Sequence, residues 1–510
     1  MKKIIAVGSL IVLLVIAFQY YITLKGQTAL PSEGWSRPYS IDVNPSNYNG
    51  IQSVSSEDGQ TISLVDLSKS LTVLNCDDDM VCEENRKFEK IDTYKNTWSD
   101  HSNTYYIQNE KLMHWNEGDE QVIAEPVADF MVSEQLIYYW NNDNEVSIAD
   151  RNTLKVNAQF KADQTIYSIE TDGQQIFVVL KDIEGSKYTV HLYDGELIKL
   201  FEFPIRQAEA LLDVKIVADE GYQLLLQKQV TEGGGRTISY YTAPFDHLKS
   251  EPAISLKKLK FTDAETGAKL LDVINAEPFY GKDGPRLTFS AAMFDPKGEK
   301  VHKIYTADYD KDAIVGTAVT KKGGLFSRPL QINDDTILFL KLDAKDRYLN
   351  YASAKKEKLA ESSGIMEGDF KASAYQLITL MMNGIMLLLL SIIWLLPGLA
   401  IVYSAQSIWR RFSNQVPYKS LVAVYVIALL IFQVFGFFKM MNEAAIIYNI
   451  PFITQPWQLV ALHAISMVLT LLPLLIAKMK VTEDEFNTII LYTTLMNLTT
   501  LFLLIGPYIL

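Results

Sequence analysis

Residues 165–203 read TIYSIETDGQQIFVVLKDIEGSKYTVHLYDGELIKLFEF. Four short runs rich in β-branched, aromatic and aliphatic residues (Thr165–Glu170, Gln175–Lys181, Tyr188–Tyr193 and Leu197–Phe203) are separated by turn residues. Asp172-Gly173 and Asp194-Gly195 suit tight hairpins, because such turns need a positive φ that glycine adopts without strain. The stretch therefore predicts four antiparallel strands in roughly 40 residues.

Comparable runs recur at Gln135–Trp140, Gln175–Leu180, Tyr222–Gln227, near Arg286 and at Thr336–Lys341, and Asp58-Gly59 marks another hairpin. The starts at 135, 175 and 222 lie 40 and 47 residues apart, and Thr336 follows Arg286 by 50. A period of roughly 40–50 residues with four strands per period is the pattern of a β-propeller blade. The segment 30–360 has room for about seven. No Trp-Asp or His-Gly pairing assigns the blades to a named class, and a pair of β-sandwiches is the competing all-β arrangement. One stretch, near 243–270 with Lys257-Lys258-Leu-Lys260, fits no repeat and reads as an insertion.

Outside this segment the chain is made of different material. Residues 4–24 are apolar, and four further apolar stretches follow at 375–401, 421–438, 459–477 and 488–508. A bilayer core needs about 20 apolar residues in a helix, so five transmembrane helices are expected, one N-terminal and four C-terminal. The first is too long for the apolar region of a cleaved signal peptide, and Gln27-Thr28-Ala29 is a poor cleavage site; it reads as an uncleaved signal anchor. Pro397-Gly398 is expected near one end of the second span. The resulting plan is an anchor (1–29), an all-β domain (30–360), a linker (361–373) and a four-helix transmembrane domain (374–510).

Charge divides the same way. From Leu30 to Phe370 there are 56 acidic and 37 basic residues; the remainder carries 4 acids and 10 bases. So acidic a middle domain argues against nucleic acid, which needs clustered Lys and Arg. Alternate threading places Lys2, Lys3, Arg410, Arg411, Lys419, Lys478 and Lys480 on one face of the bilayer, and Lys25, Lys371 and Lys439 on the other. By the excess of Lys and Arg in cytoplasmic loops, the N-terminus is expected inside and the large domain and C-terminus outside. Residues 440–457, with Tyr448 and Trp457, are apolar enough to lie in the headgroup region or to begin the fourth span early. Asn44-Pro-Ser is blocked as a glycosylation site by its proline and Asn497-Leu-Thr lies in a span, so a bacterial plasma membrane is the expected location.

Candidate chemistry is sparse. Cys76 and Cys82 can close a small disulfide loop in an oxidising compartment, with free thiols as the alternative. Asp308, Asp310 and Asp312 alternate as calcium ligands do, but Ala313 stands where the turn glycine belongs, and a polar hairpin tip is the alternative. Calcium is also one reading of the acidic loop Asp77, Asp78, Asp79, Glu83 and Glu84, a solvated loop the other; no other cofactor is indicated. Glu232-Gly-Gly-Gly-Arg236 lies between strands and reads as a hairpin, not a phosphate loop. The six histidines form no metal motif, and no hydrolase elbow is present.

Within the expected spans the polar residues are Asn383, Gln433, His463 and Asn497; no Asp, Glu, Lys or Arg occupies their cores. That argues against proton coupling and for hydrogen bonds between helices. Taken together, the sequence predicts a ligand- or partner-binding scaffold or sensor at the cell envelope, with the bilayer and a membrane or envelope protein as its partners. A membrane subunit of a permease-like transport complex, whose ATPase would be a separate chain, and an extracytoplasmic propeller enzyme are the alternatives; no catalytic residue is assigned.

Overall fold

A computed structural model describes residues 2–510 apart from 57–58, 173, 220, 233–234, 295–299, 322–323, 414–415, 441–449, 451, 454, 477–480 and 509–510. The described residues form seven α-helices: α1 (Lys2–Thr28), α2 (Lys356–Ser363), α3 (Asp369–Asn383), α4 (Ile385–Phe412), α5 (Tyr418–Met440), α6 (Pro456–Ile476) and α7 (Glu483–Leu504). The chain divides into two compact units, the β-rich residues 30–293 and 300–363, and a helical unit holding 1–29 and 364–510.

The β-rich unit is a seven-bladed propeller. Seven separate sheets follow one another along the chain, each built on a meander of antiparallel neighbours, with one parallel edge strand added in the sixth. The quoted stretch is blade 4, with strands Thr165–Thr171, Ile176–Lys181, Lys187–Tyr193 and Leu197–Pro204. The turn at Asp194-Gly195 has Gly195 at φ 80°, while Asp58 and Gly173 lie outside the described residues. Alternation along each strand sends apolar side chains to both faces of a blade, and each face packs on a neighbour. Val179, Phe201 and Phe203 of blade 4 meet Val214, Leu224 and Leu226 of blade 5. Tyr138, Trp140 and Ile148 of blade 3 meet Ile166 and Val178 of blade 4. The series of such cores comes full circle: Ile62, Leu64 and Leu74 of blade 1 pack on Leu338, Leu340 and Leu349 of blade 7.

Covalent order closes this ring at blade 7. Its strands are Leu325–Asn333, Thr336–Asp343 and Asp346–Ser353, and the fourth is Tyr39–Ser40 from the other end of the segment. Tyr39 faces Tyr351 in register, with their rings stacked at 5.2 Å. Backbone bonds from Ser36 to Ser353 (2.9 Å) and from Ile41 to Leu349 (3.0 Å) extend the seam. Helix α2 folds back on it: Arg37 Nε donates to the Ser362 carbonyl at 2.6 Å, and the Tyr39 hydroxyl to that of Lys358 at 3.1 Å. Residues 361–373, expected as a linker, thus hold the end of α2 and the start of α3.

The stretch 243–270 is not an insertion. Its first residues complete the strand Gly235–Phe245, Lys257–Lys258 is the outer strand of blade 5, and Lys260–Asp263 adds a fifth strand to blade 6. That fifth strand pairs parallel with Ala313–Ala318. An outer edge completed from the preceding blade breaks the period, which is why the repeat is not visible there.

In the helical unit α1 joins the C-terminal helices. Ile11 and Val15 of α1 share a core with Trp394 of α4, Leu429 of α5, Leu459 of α6 and Leu501 of α7. The Tyr508 hydroxyl donates to Gln19 Oε1 at 2.6 Å. Among the described residues five helices are long and apolar enough to cross a membrane: residues 3–28, 387–412, 418–439, 456–476 and 483–504. The second differs from the expected 375–401. Gly384 separates α3 from α4, so the span begins later and Pro397 falls inside α4. Gly384 is closely packed: a Cβ there would lie 2.8 Å from the Phe502 ring, and a Cβ on Gly506 would lie 3.0 Å from the Gly384 Cα. Outward-facing side chains such as Leu14, Leu389, Phe435 and Leu475 stay exposed.

Candidate functional site

The inner strands of all seven blades line a cavity of about 650 Å³. Its two halves differ. Blades 1 to 3 contribute Val54, Trp98, Met131 and Val132 together with the amides Gln52 and Asn96 and a single charged side chain, Lys95. Blades 4 to 7 contribute Glu170, Lys215, Glu277 and Arg328. The placement follows from strand alternation. In Glu209–Ala218, Val214 and Ile216 enter the core shared with blade 4, and Asp213 and Lys215 take the opposite face.

Lys215 Nζ stands 3.7 Å from Glu277 Oε2 and 4.0 Å from Asp213 Oδ1. These are ion-pair distances beyond hydrogen-bond reach. Arg328 donates to Asn49 Oδ1 at a long 3.4 Å. Among the described residues no hydrogen bond ties the Lys215 ammonium or the Glu277 carboxylate. Three acids and two bases converge from four blades, and Lys95 lines the same cavity, so acids and bases balance if all are ionised.

Water reaches these side chains along the axis, yet protein encloses them on most sides. Burial pushes the Glu170 carboxyl from 4.5 up to about 7, with Lys215 opposing and Asp213 and Glu277 adding to the rise. The Asp213 carboxyl is raised for the same first reason. Lys215 is held charged, chiefly by Glu277, against its own burial. Burial lowers Arg328 and Glu277 opposes it. Carboxyls pushed toward neutrality beside a firmly charged ammonium, in a cavity, mark a binding-site candidate.

A second cavity of about 840 Å³ shares Val54, Trp98 and Val132 with the first. Arg151 lies on its wall, paired with Asp100 at 3.0 Å and set 4.7 Å over the Trp98 ring.

The residues singled out in the sequence lie elsewhere. Cys76 and Cys82 face each other across the turn end of a blade 1 hairpin and are joined, S–S 2.06 Å. In the acidic loop between them, Asp77 Oδ1 accepts the N–H groups of Asp79 and Val81 at 3.0 and 2.9 Å, so this carboxylate closes the turn.

The three aspartates of 308–312 do not converge. Asp308 pairs with Arg286 at 3.0 Å, Asp312 with Lys257, and Asp310 accepts the Asp312 N–H at 2.7 Å. Among the described residues no group of three or more His, Cys, Asp or Glu is placed to hold a metal ion. Glu232 and Gly235 pair across a hairpin, as expected for the glycine-rich run, with 233–234 outside the described residues.

In the helical unit Gln433 of α5 bonds His463 Nδ1 of α6 at 2.7 Å, an interhelical bond. Asn497 of α7 is wholly buried, and its amide atoms have no partner among the described residues. Asn383 ends α3, and its side chain lies outside the described residues.

Sequence reasoning missed the cavity cluster. Glu170, Lys215, Glu277 and Arg328 are 45, 62 and 51 residues apart. The available signal was slight: Thr165–Thr171 and Leu325–Asn333 each hold one charge, but Glu209–Ala218 and Leu271–Gly281 hold more than one, so the four side chains do not stand out as a repeat.

No protein-family model matches this chain, and no curated protein does. Solved structures similar to it include a chain from the S. cerevisiae complex of a Dbp5 variant bound to Nup159, a Gle1 variant, IP6 and ADP. That likeness has a TM-score of 0.40 and 12% identity over 63% of this chain and 96% of the other. The WD40 domain of SCAP from fission yeast is another, with a TM-score of 0.36 and 11% identity over 64% of this chain and 100% of that domain.

Proposed function

We propose that this chain is a membrane-anchored binding scaffold at the cell envelope, with its propeller outside the membrane as the receptor element. The observation that carries this reading is the ring itself. Seven blades, sealed by strands from both ends of the segment, hold a polar cavity open on their axis, and the same chain carries five helices able to span a bilayer. A closed ring has no free sheet edge at its seam and holds loops from different blades in fixed relation, which suits recognition rather than movement. The apolar side chains exposed on α1, α4, α5 and α6 suit contact with lipid. Loop charges support a cytoplasmic N-terminus, and the lack of a usable glycosylation sequon in the large domain supports a bacterial plasma membrane. The propeller is then tethered by both of its ends, and its partner is a membrane or envelope protein.

Two measurements test this. Full-length protein, cross-linked in its native membrane and purified in detergent, is expected to bring down a stable envelope or membrane protein. A co-purifying ATPase would move the assignment to a transport complex, and a lone monomer with hydrolytic activity would sink both. For orientation, a Ser413→Cys variant on a background lacking Cys76 and Cys82 is expected to resist an impermeant thiol reagent in intact cells and to react once the cells are opened. Reaction in intact cells would reverse the topology.

A further inference from the structure

We infer that the axial cavity binds a small zwitterion: an ammonium and a carboxylate carried on one molecule with an apolar body, the chemistry of a free amino acid or a short free-ended peptide. This deepens the scaffold reading and rests on it. The two walls of the cavity set the class. On the charged wall, Lys215 is already flanked by Asp213 and Glu277, at 4.0 and 3.7 Å. Glu170 lines the cavity and forms no ion pair among the described residues, so its carboxyl is the acid open to a ligand ammonium. Arg328 faces the same cavity with one long bond to the Asn49 amide at 3.4 Å. Its guanidinium is left with donors in the fork that a carboxylate fits. The opposite wall, with Val54, Trp98, Met131 and Val132, offers apolar and aromatic surface for the body of the ligand.

A pure anion meets Glu170 and Glu277, with Asp213 beside Lys215, and a pure cation meets Lys95, Lys215 and Arg328. Only a molecule bearing both charges satisfies the two ends together. At about 650 Å³ the cavity has the size of a small-ligand site. The adjoining 840 Å³ space lets a peptide extend beyond it.

The test is titration calorimetry on the purified full-length protein in detergent at pH 7.5. The probes are pooled free amino acids, trileucine, N-acetyl-trileucine and trileucine amide. Binding is expected for the free amino acids, for trileucine, or for both, and which of them binds tells amino acid from peptide. Blocking either end of trileucine should weaken a peptide interaction at least tenfold. Glu170→Gln and Arg328→Gln should each weaken the free-ended ligand at least tenfold; the blocked peptides probe the same two contacts on the unmodified protein. Absence of binding by every free-ended probe, or equal binding of blocked and free trileucine, overturns the inference. Partner capture that persists in both variants while no zwitterion binds would leave the scaffold standing and remove only this ligand.

Discussion

The propeller and the helical unit both bury polar side chains, but of different kinds. Along the propeller axis stand ionised groups: Lys215 between Asp213 and Glu277, with Glu170 and Arg328. Away from the ends of the long apolar helices the buried polar groups are amides, hydroxyls and an imidazole: the Gln433–His463 pair, Ser466 bonded to Thr500 at 2.7 Å, and Asn497. The difference teaches where each unit keeps water. A sheet edge facing an axial cavity lets a side chain keep part of its hydration. A helix face pressed against other apolar helices does not, so only groups that survive without bulk solvent remain there.

The sharpest attempt to break this contrast is a charge placed in the helices. Asn497→Asp changes one atom at a wholly buried position. It is expected to cost about 3 kcal/mol or more, seen as a large fall in melting temperature or loss of monodisperse protein in detergent. A melting temperature within a degree or two of the parent would show that water reaches Asn497.

A second test moves to a charge the propeller holds without an axial cavity. Arg86, in the outer strand of blade 1, is 8% exposed. Its guanidinium donates to the His101 and Asn103 carbonyls, each at 2.9 Å, and to Thr104 Oγ1 at 2.8 Å, and it stacks 4.5 Å from the Trp115 ring. Each of these acceptors belongs to the next blade, so one side chain pins two blades together. Arg86→Met keeps the bulk and removes the donors, leaving buried carbonyls unpaired, for an expected loss of about 3 kcal/mol. Arg86→Lys should recover only part of it, because an ammonium cannot reproduce the fork. A neutral result for Arg86→Met would mean the carbonyls are satisfied by solvent.

These features were unequally legible in the sequence. Blade 4 could be read residue by residue, since its strands are short, alternate regularly and are separated by turn residues within one period. Blade 7 could not: Tyr39–Ser40 is too short to signal a strand, and its partner Tyr351–Asn350 lies at the far end of the segment. The outer edges of blades 5 and 6 were hidden because Lys257–Lys258 and Lys260–Asp263 are placed by sheet neighbours, not by their own apolar content. The helices were legible from hydropathy, except at Gly384, a closely packed position where one helix ends and the next begins within a continuous apolar stretch. The cavity cluster escaped because its members come from four blades and meet only when the ring closes, whereas the aspartates of 308–312 drew notice through local spacing, and two of them are bound to separate cations.

Acidity offers a third and smaller test. Glu170 titrates near 7 in the folded chain and near 4.5 when unfolded. Its contribution to stability is fully present below about pH 4.5 and is lost as pH rises through 7. Glu170→Gln removes that loss. Relative to the parent, the variant should gain on the order of 2 kcal/mol between pH 4.5 and 8, allowing for screening by water in the cavity. The check is a pair of melting curves across that range. Parallel curves would show that Glu170 is as well hydrated as a surface carboxylate.

The smallest effect is expected where the contrast predicts tolerance. Gln52 lines the apolar and amide half of the cavity and accepts a bond from the Thr97 hydroxyl at 3.0 Å. In Gln52→Glu a carboxylate oxygen accepts the same bond, and the cavity supplies room for its hydration. The expected cost is below about 1 kcal/mol, within the range of ordinary surface changes. Asn497→Asp and Gln52→Glu replace an amide by a carboxylate in the same way, so the chemistry of the substitution cancels between them and the surroundings alone set the difference. If the two variants lose the same stability, the axial cavity is as dry as the helical interior. Its ionised groups would then be held by each other rather than by water, and the contrast between the two units would fail.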